Sequence, residues 1–194
     1  NNSNDNNFGG GGFSGVHYAS WSPPMSNCNH PVFDPVGQSF VVSTKNGVFV
    51  TSVDVYFSSK SATAPVTMQL RTMYQGHPTQ KVIPFGEVTI DAADISVSTD
   101  ASVATNFQFP SPVYLQDATE YCFVMPCSTT DCTIYTARMG TTTLDGSRLI
   151  SKQPTLGSMF KSQNGSTWIS EQNEDVKFDL KTAKFQETST GTLT

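Results

Sequence analysis

From residue 37 onward, apolar and polar side chains alternate in short runs, and Gly, Pro, Asn, Asp or Ser interrupts each run before it reaches helical length. Successive side chains of a strand point to opposite faces, so a period of two marks a ribbon with one buried face. Val53, Val55 and Phe57 fall on one face, and Val66, Met68 and Leu70 alternate with Thr67, Gln69 and Arg71. The nearest approach to a helical window is Glu171 to Ala183, yet there Val176, Phe178 and Leu180 also repeat at two. Asn46-Gly47 is a strong hairpin signal, so Gln38–Ser43 and Val48–Phe57 are expected to be strands joined by a tight turn. Gly76-His77-Pro78 is expected to end the strand that starts at Val66, with His77 an exposed turn residue. Further strands are expected at Glu87–Ile90, Val103–Phe109, Glu120–Met125, Cys132–Arg138, Ser158–Lys161 and Asp175–Leu180, for a total of about nine or ten.

Strands of this length, spaced by turn residues, predict an all-β chain: an antiparallel β-sandwich, jelly-roll-like, with a closed barrel as the alternative. Residues 1–32 are rich in Asn, Gly, Ser and Pro and lack periodicity, so they read as an irregular N-terminal arm or linker. Phe8, Phe13, Tyr18 and Trp21 are expected to dock the arm onto this domain or a neighbouring chain. The sandwich is assigned to residues 33–185 and a polar tail to 186–194. A G-x-G-x-x-G match at Gly10–Gly15 has no strand before it and no helix after it, so it is read as an accident of the glycine run. The chain opens on Asn without a signal-like segment, which leads to the expectation of a processed chain or a fragment.

Only 14% of residues are charged and the formal net charge is −5, which argues against a binder of phosphate backbones. No apolar run approaches the ~20 residues of a membrane span. The longest, Tyr121 to Cys127, already contains Pro126. Neither nucleic acid nor membrane insertion is expected. Cysteines stand at positions 28, 122, 127 and 132, and the last three repeat every five residues without a C-x₂-C knuckle. Buried thiols are expected, with a Cys127–Cys132 bridge across a hairpin turn as the alternative.

The usual catalytic and metal signatures, G-x-S-x-G, H-E-x-x-H and an EF-hand loop, are missing. Of the three histidines, His17 and His30 fall in the arm and His77 in the turn. Asp91, Asp94 and Asp100 would suit an acid/base pair or a cation, but they lie in a stretch that reads as loop or edge, where solvated charge is the simpler account. No catalytic, cofactor or metal residue is assigned. Sugar recognition needs aromatic ring faces beside amides and hydroxyls. The segment Phe160-Lys161-Ser162-Gln163-Asn164-Gly165-Ser166-Thr167-Trp168 offers both, which makes Trp168, Gln163 and Asn164 the candidate glycan contacts. The competing expectation places Trp168 and Phe160 in the core. Asn164-Gly165-Ser166 and Asn1-Asn2-Ser3 also match the glycosylation sequon.

Longer phrases carry a family resemblance. Phe33-Asp34-Pro35-Val36-Gly37-Gln38-Ser39-Phe40, Gly47-Val48-Phe49-Val50-Thr51-Ser52-Val53-Asp54-Val55-Tyr56-Phe57 and Pro65-Val66-Thr67-Met68-Gln69-Leu70-Arg71 come first. Phe109-Pro110-Ser111-Pro112-Val113-Tyr114-Leu115, Glu120-Tyr121, Ala137-Arg138-Met139-Gly140, the run from Gln153 to Trp168 and Glu174-Asp175-Val176-Lys177-Phe178 follow in order. Together they resemble a module of tail and baseplate structural proteins of tailed bacteriophages, including cyanophage-type myoviruses, over residues 33–185. The resemblance implies a non-enzymatic virion component of a tail, baseplate or fibre, assembled in the host cytoplasm. It also implies a carbohydrate-binding-module-like β-sandwich with no catalytic residues to carry over, and Cys122, Cys127 and Cys132 are not part of its pattern. The expected partners are other virion proteins and sister copies of the chain, met through exposed sheet surfaces and the arm. The alternative is a receptor-recognition module that holds host cell-surface polysaccharide. A depolymerase ranks third, because such enzymes are commonly long β-helices with a short repeat that this chain lacks.

Overall fold

The computed structural model describes residues 35–126, 131–143, 149–151 and 157–184. The arm, the polar tail, Cys28 and Cys127 lie outside the described residues. The chain is built from strands β1 (Val36–Val42), β2 (Val48–Val55), β3 (Phe57–Ser59), β4 (Val66–Tyr74), β5 (His77–Ile90), β6 (Thr105–Leu115) and β7 (Thr119–Met125). Shorter strands follow: β8 (Thr133–Ile134), β9 (Thr136–Arg138), β10 (Met159–Lys161), β11 (Ile169–Glu171), β12 (Glu174–Val176) and β13 (Phe178–Thr182). A single 3₁₀ turn, Ala92–Asp94, is the one helical element among the described residues.

The expected all-β sandwich-like architecture is what forms. A six-stranded sheet in the order β11-β10-β1-β7-β4-β5 faces a three-stranded sheet in the order β13-β2-β6, and every pairing in both is antiparallel. Two small pairs, β12-β9 and β3-β8, extend it. Even-numbered Val36, Phe40 and Val42 of β1 point inward, as do Phe123 and Met125 of β7 and Phe178 and Leu180 of β13. The Phe178 ring meets Phe123 edge-on at 5.0 Å and Phe40 at 6.3 Å, which ties the two layers together. Aromatic pairs of this kind add to the plain burial of apolar area.

Several local expectations change. Asn46-Gly47 does make a turn: Gly47 N donates to Thr44 O at 3.0 Å, with Asn46 at φ 70° and Gly47 at φ 80°. The flanking strands do not pair with each other, however. β1 joins β7 and β10, whereas β2 joins β6 and β13, so the turn carries the chain from one layer to the other. Gly47 is held there by space as well, since a Cβ would collide with the Leu115 carbonyl and the Tyr114 ring.

The strand from Val66 ends at Tyr74, before Gly76, as expected, but His77 and Pro78 belong to the next strand and not to the turn. Gln75 and Gly76 take φ 49° and 75°, the two-residue hairpin geometry, and His77 pairs with Tyr74 to open β5. Pro78 and Pro84 are tolerated because β5 is the free edge of its sheet. By the same logic β6, an edge of the smaller sheet, runs through Pro110 and Pro112, past the Phe109 end expected for it.

Three expected single strands are each split in two. β2 gives way to β3 at Tyr56, β8 to β9 at Tyr135, and β12 to β13 at Lys177. These hinge residues form one seam: Tyr135 N donates to Tyr56 O and Lys177 N donates to Tyr135 O, each at 2.9 Å. The Lys177 ammonium lies 4.1 Å from the centre of the Tyr56 ring, a cation–π contact that covers the bend.

Candidate functional site

The loop from Ser162 to Trp168 connects β10 to β11 and folds over the face of the six-stranded sheet that is turned away from the main core. Cys122 and Val124, which alternate with Phe123 and Met125 on β7, point to that outer face. With Phe160, and with Met73 alongside, they form a second apolar cluster that Trp168 closes. Trp168 is only 7% exposed, so its ring faces are spent on packing. Among the described residues its indole N–H has no hydrogen-bond partner, a cost the burial of the ring must outweigh.

The other two candidate contacts are placed differently. Asn164 is exposed, but its side chain shapes its own loop: Oδ1 accepts from Thr167 N at 2.7 Å and from Ser166 N at 3.0 Å, and Nδ2 donates to Thr167 Oγ1 at 3.2 Å. Ser162 Oγ accepts from Gly165 N at 2.9 Å, and Gln80 Nε2 reaches across to the Gly165 carbonyl. Gln163 is exposed. Asn164 and Gln163 thus share a surface loop, while Trp168 points beneath it, and the three do not form a ring platform with amides at its rim. The core reading of Trp168 and Phe160 is the one the geometry carries.

Arg71 lies beneath the same region, paired in register with Cys122. Its guanidinium is held by two amide side chains: Nε and Nη2 donate to Gln69 Oε1 at 3.0 and 2.5 Å, and Nη1 donates to Gln80 Oε1 at 3.3 Å. Burial lowers the Arg71 pKa below its ordinary value. Burial likewise pushes the Cys122 thiol well up, with Arg71 opposing, so at neutral pH Cys122 is a protonated packing group. Cys132 is also buried.

Asp91, Asp94 and Asp100 are all exposed. Asp91 precedes the 3₁₀ turn and Asp94 ends it, whereas Asp100 accepts hydrogen bonds from the Ser102 hydroxyl and N–H, which lower its pKa. Among the described residues, no group of three His, Cys, Asp or Glu side chains gathers as a metal site would require. His77 is exposed and packs edge-on against Phe160 at 6.2 Å.

Two arrangements escaped the sequence reading. One is interior: Gln38, on the inward row of β1, donates through Nε2 to Asp175 Oδ1 at 2.9 Å and accepts from Val176 N at 2.8 Å. Beside it Thr136 Oγ1 donates to Glu174 Oε1 at 2.6 Å. Its signal was a polar residue at an inward position of an otherwise apolar row.

The other lies on the solvent face of β13-β2-β6, where Phe49 and Tyr114 are 37% and 49% exposed and directly paired across strands, rings 5.1 Å apart. Further along that face Lys181 Nζ meets Asp54 Oδ2 at 2.6 Å, and Asn106 Nδ2 donates to Asp54 Oδ1 at 2.5 Å and to Ser52 Oγ at 3.0 Å. Phe49 and Tyr114 sit at outward positions of their strands, which period two alone could have revealed.

Comparisons of the chain with family models, with curated proteins and with solved structures gave no match. Among the described residues no helix is long and apolar enough to cross a membrane.

Proposed function

We propose that this domain is a non-enzymatic structural module of a bacteriophage virion, a tail, baseplate or fibre component that makes assembly contacts with other virion proteins and sister copies. The ordered resemblance of residues 33–185 to tail and baseplate modules motivates the virion part of this reading.

The observation that carries the contact role is the β4–β5 hairpin. Tyr74 and Phe85, 69% and 65% exposed, are the two most exposed large apolar side chains among the described residues, and both lie on it. Phe85 adopts φ 63°, a conformation that a bulky residue rarely takes. It does so in a bulge where β5 spends extra residues between Val82 and Glu87, and where Gly86 presses so closely on Leu70 that a Cβ would sit 3.0 Å from it. The bulge thus turns an aromatic ring outward from a free sheet edge. Strain of this kind concentrates at functional positions. Pro78 and Pro84 interrupt the edge's hydrogen-bonding row, so the contact is made by side chains rather than by adding strands without limit.

The test is incorporation. Phage particles carrying Phe85→Ser with Tyr74→Ser should contain much less of this chain by quantitative mass spectrometry, while the purified variant keeps its fold. Unchanged incorporation contradicts the contact role, and absence of the chain from purified wild-type particles contradicts the virion role.

The second reading, host-glycan recognition, loses its Trp168 platform to burial. It is favoured instead by the exposed Phe49–Tyr114 pair.

A further inference from the structure

We propose that the solvent face of the β13-β2-β6 sheet binds an uncharged oligosaccharide, with Phe49 and Tyr114 stacking on sugar rings and Asn106 and Gln108 supplying hydrogen bonds. This rests on the glycan-binding reading and gives it a different site.

Three features of the face fit that ligand. The paired rings give an apolar surface at one end of the strands, and the Tyr114 hydroxyl, which donates to Asn46 O at 3.1 Å, keeps its ring in place and leaves acceptor capacity. The amides are the second feature. Both N–H groups of Asn106 are used on Ser52 and Asp54, which fixes the side chain and leaves its carbonyl oxygen without a partner among the described residues. Gln108 is exposed in the adjacent outward position of β6, about 7 Å further along the strand. A sugar chain lying along β6 therefore meets the fixed Asn106 acceptor, then the Gln108 amide, and then the rings. Pre-set partners reduce the ordering cost of binding.

Charge selects the class. Lys181 is neutralised by Asp54, and Asp179, which accepts from the Tyr56 hydroxyl at 2.7 Å, is offset by the Lys177 ammonium over the Tyr56 ring, so the face offers no uncompensated charge to hold an ionic polymer. A protein partner is disfavoured by composition, because the middle of a protein interface is usually depleted of charge, whereas this face has Asp54 and Lys181 at its centre.

The experiment is a printed array of neutral hexose and N-acetylhexosamine oligosaccharides of about three to six units, probed with the full chain. At least one should be retained. Tyr114→Ala should weaken that binding about tenfold while the chain stays folded by circular dichroism, Gln108→Ala should weaken it less, and Gln163→Ala should leave it unaltered. Retention that Tyr114→Ala does not alter overturns this site while leaving glycan binding itself standing. A blank array overturns both. Concentration-dependent self-association abolished by Tyr114→Ala, with a blank array, assigns the face to a second copy of the chain and likewise overturns the proposal.

Discussion

Gln38 and Asp175 meet inside the sandwich although 137 positions separate them: the Gln38 amide donates to Asp175 Oδ1 at 2.9 Å and takes the N–H of Val176 at 2.8 Å. The bond joins the first strand of the large sheet to β12, just before the chain crosses at Lys177 into the small sheet. A buried carboxylate oxygen and a buried backbone N–H both bond to this one side chain. Gln38→Leu removes both bonds and should therefore cost about 3 kcal/mol in urea unfolding, because the buried Val176 N–H loses the amide oxygen it donates to. Gln38→Glu, close in shape, sets a second carboxyl against Asp175. Its melting temperature should fall further below wild type at pH 8 than at pH 5, where a protonated Glu can donate in the amide's place.

Trp168 closes the second apolar cluster over Cys122, Val124 and Phe160. Trp168→Ala should lower stability by about 3–5 kcal/mol. It should also abolish the near-ultraviolet circular-dichroism signal of that indole. A variant as stable as wild type would mean that the ring is not packed there.

Alkaline stability has a defined sign. In the unfolded chain the Cys122 thiol titrates near its ordinary 9.0, while in the fold burial holds the proton on to much higher pH. The native state then binds more protons than the unfolded state, so stability is complete below pH 9 and declines as pH rises above it. The slope for one fully buried group is about 1.4 kcal/mol per pH unit. Tyr56, raised above 10.0 by burial and then by its bond to Asp179, adds to the decline at higher pH in the same direction. Cys122→Ala should flatten the slope just above pH 9, as read by urea midpoints across the range.

Phe85 occupies a left-handed conformation at φ 63°. Glycine accepts that conformation without penalty, although it loses more freedom on folding. Phe85→Gly should leave the melting temperature equal to or slightly above wild type, because about 1–2 kcal/mol of strain is released against that entropy cost. The same substitution should weaken the edge contact proposed for Phe85. A marked loss of stability would show that the ring is needed for folding rather than for contact.

Much of the strand content was legible because period two does not depend on partners: Val66, Met68 and Leu70 line the core as their alternation requires. Pairing was less legible. Asn46-Gly47 encodes a turn, but whether a turn closes a ladder or passes between layers depends on which strands pair with β1, and those are the distant β7 and β10. Proline misled twice, at Pro78, expected in a turn, and at Pro110, expected beyond a strand's end, because its exclusion applies to central strands, and edge position is a property of the finished sheet. Trp168 was chosen as a site residue for its chemistry. Its burial follows from a loop folding back over the outer face of β7, and no local pattern specifies that. Phe49 and Tyr114 were the reverse case, visible in period but hidden among apolar neighbours such as Val48 and Val50.

What touches Phe85 in an assembled particle decides the proposed assembly role most directly. A photo-crosslinking benzophenone residue placed at position 85, with position 163 as the control, should on irradiation of purified phage join this chain to another virion protein or to a sister copy from position 85 alone. Particles in which position 85 yields no cross-link, or no more than position 163, would contradict the assembly role.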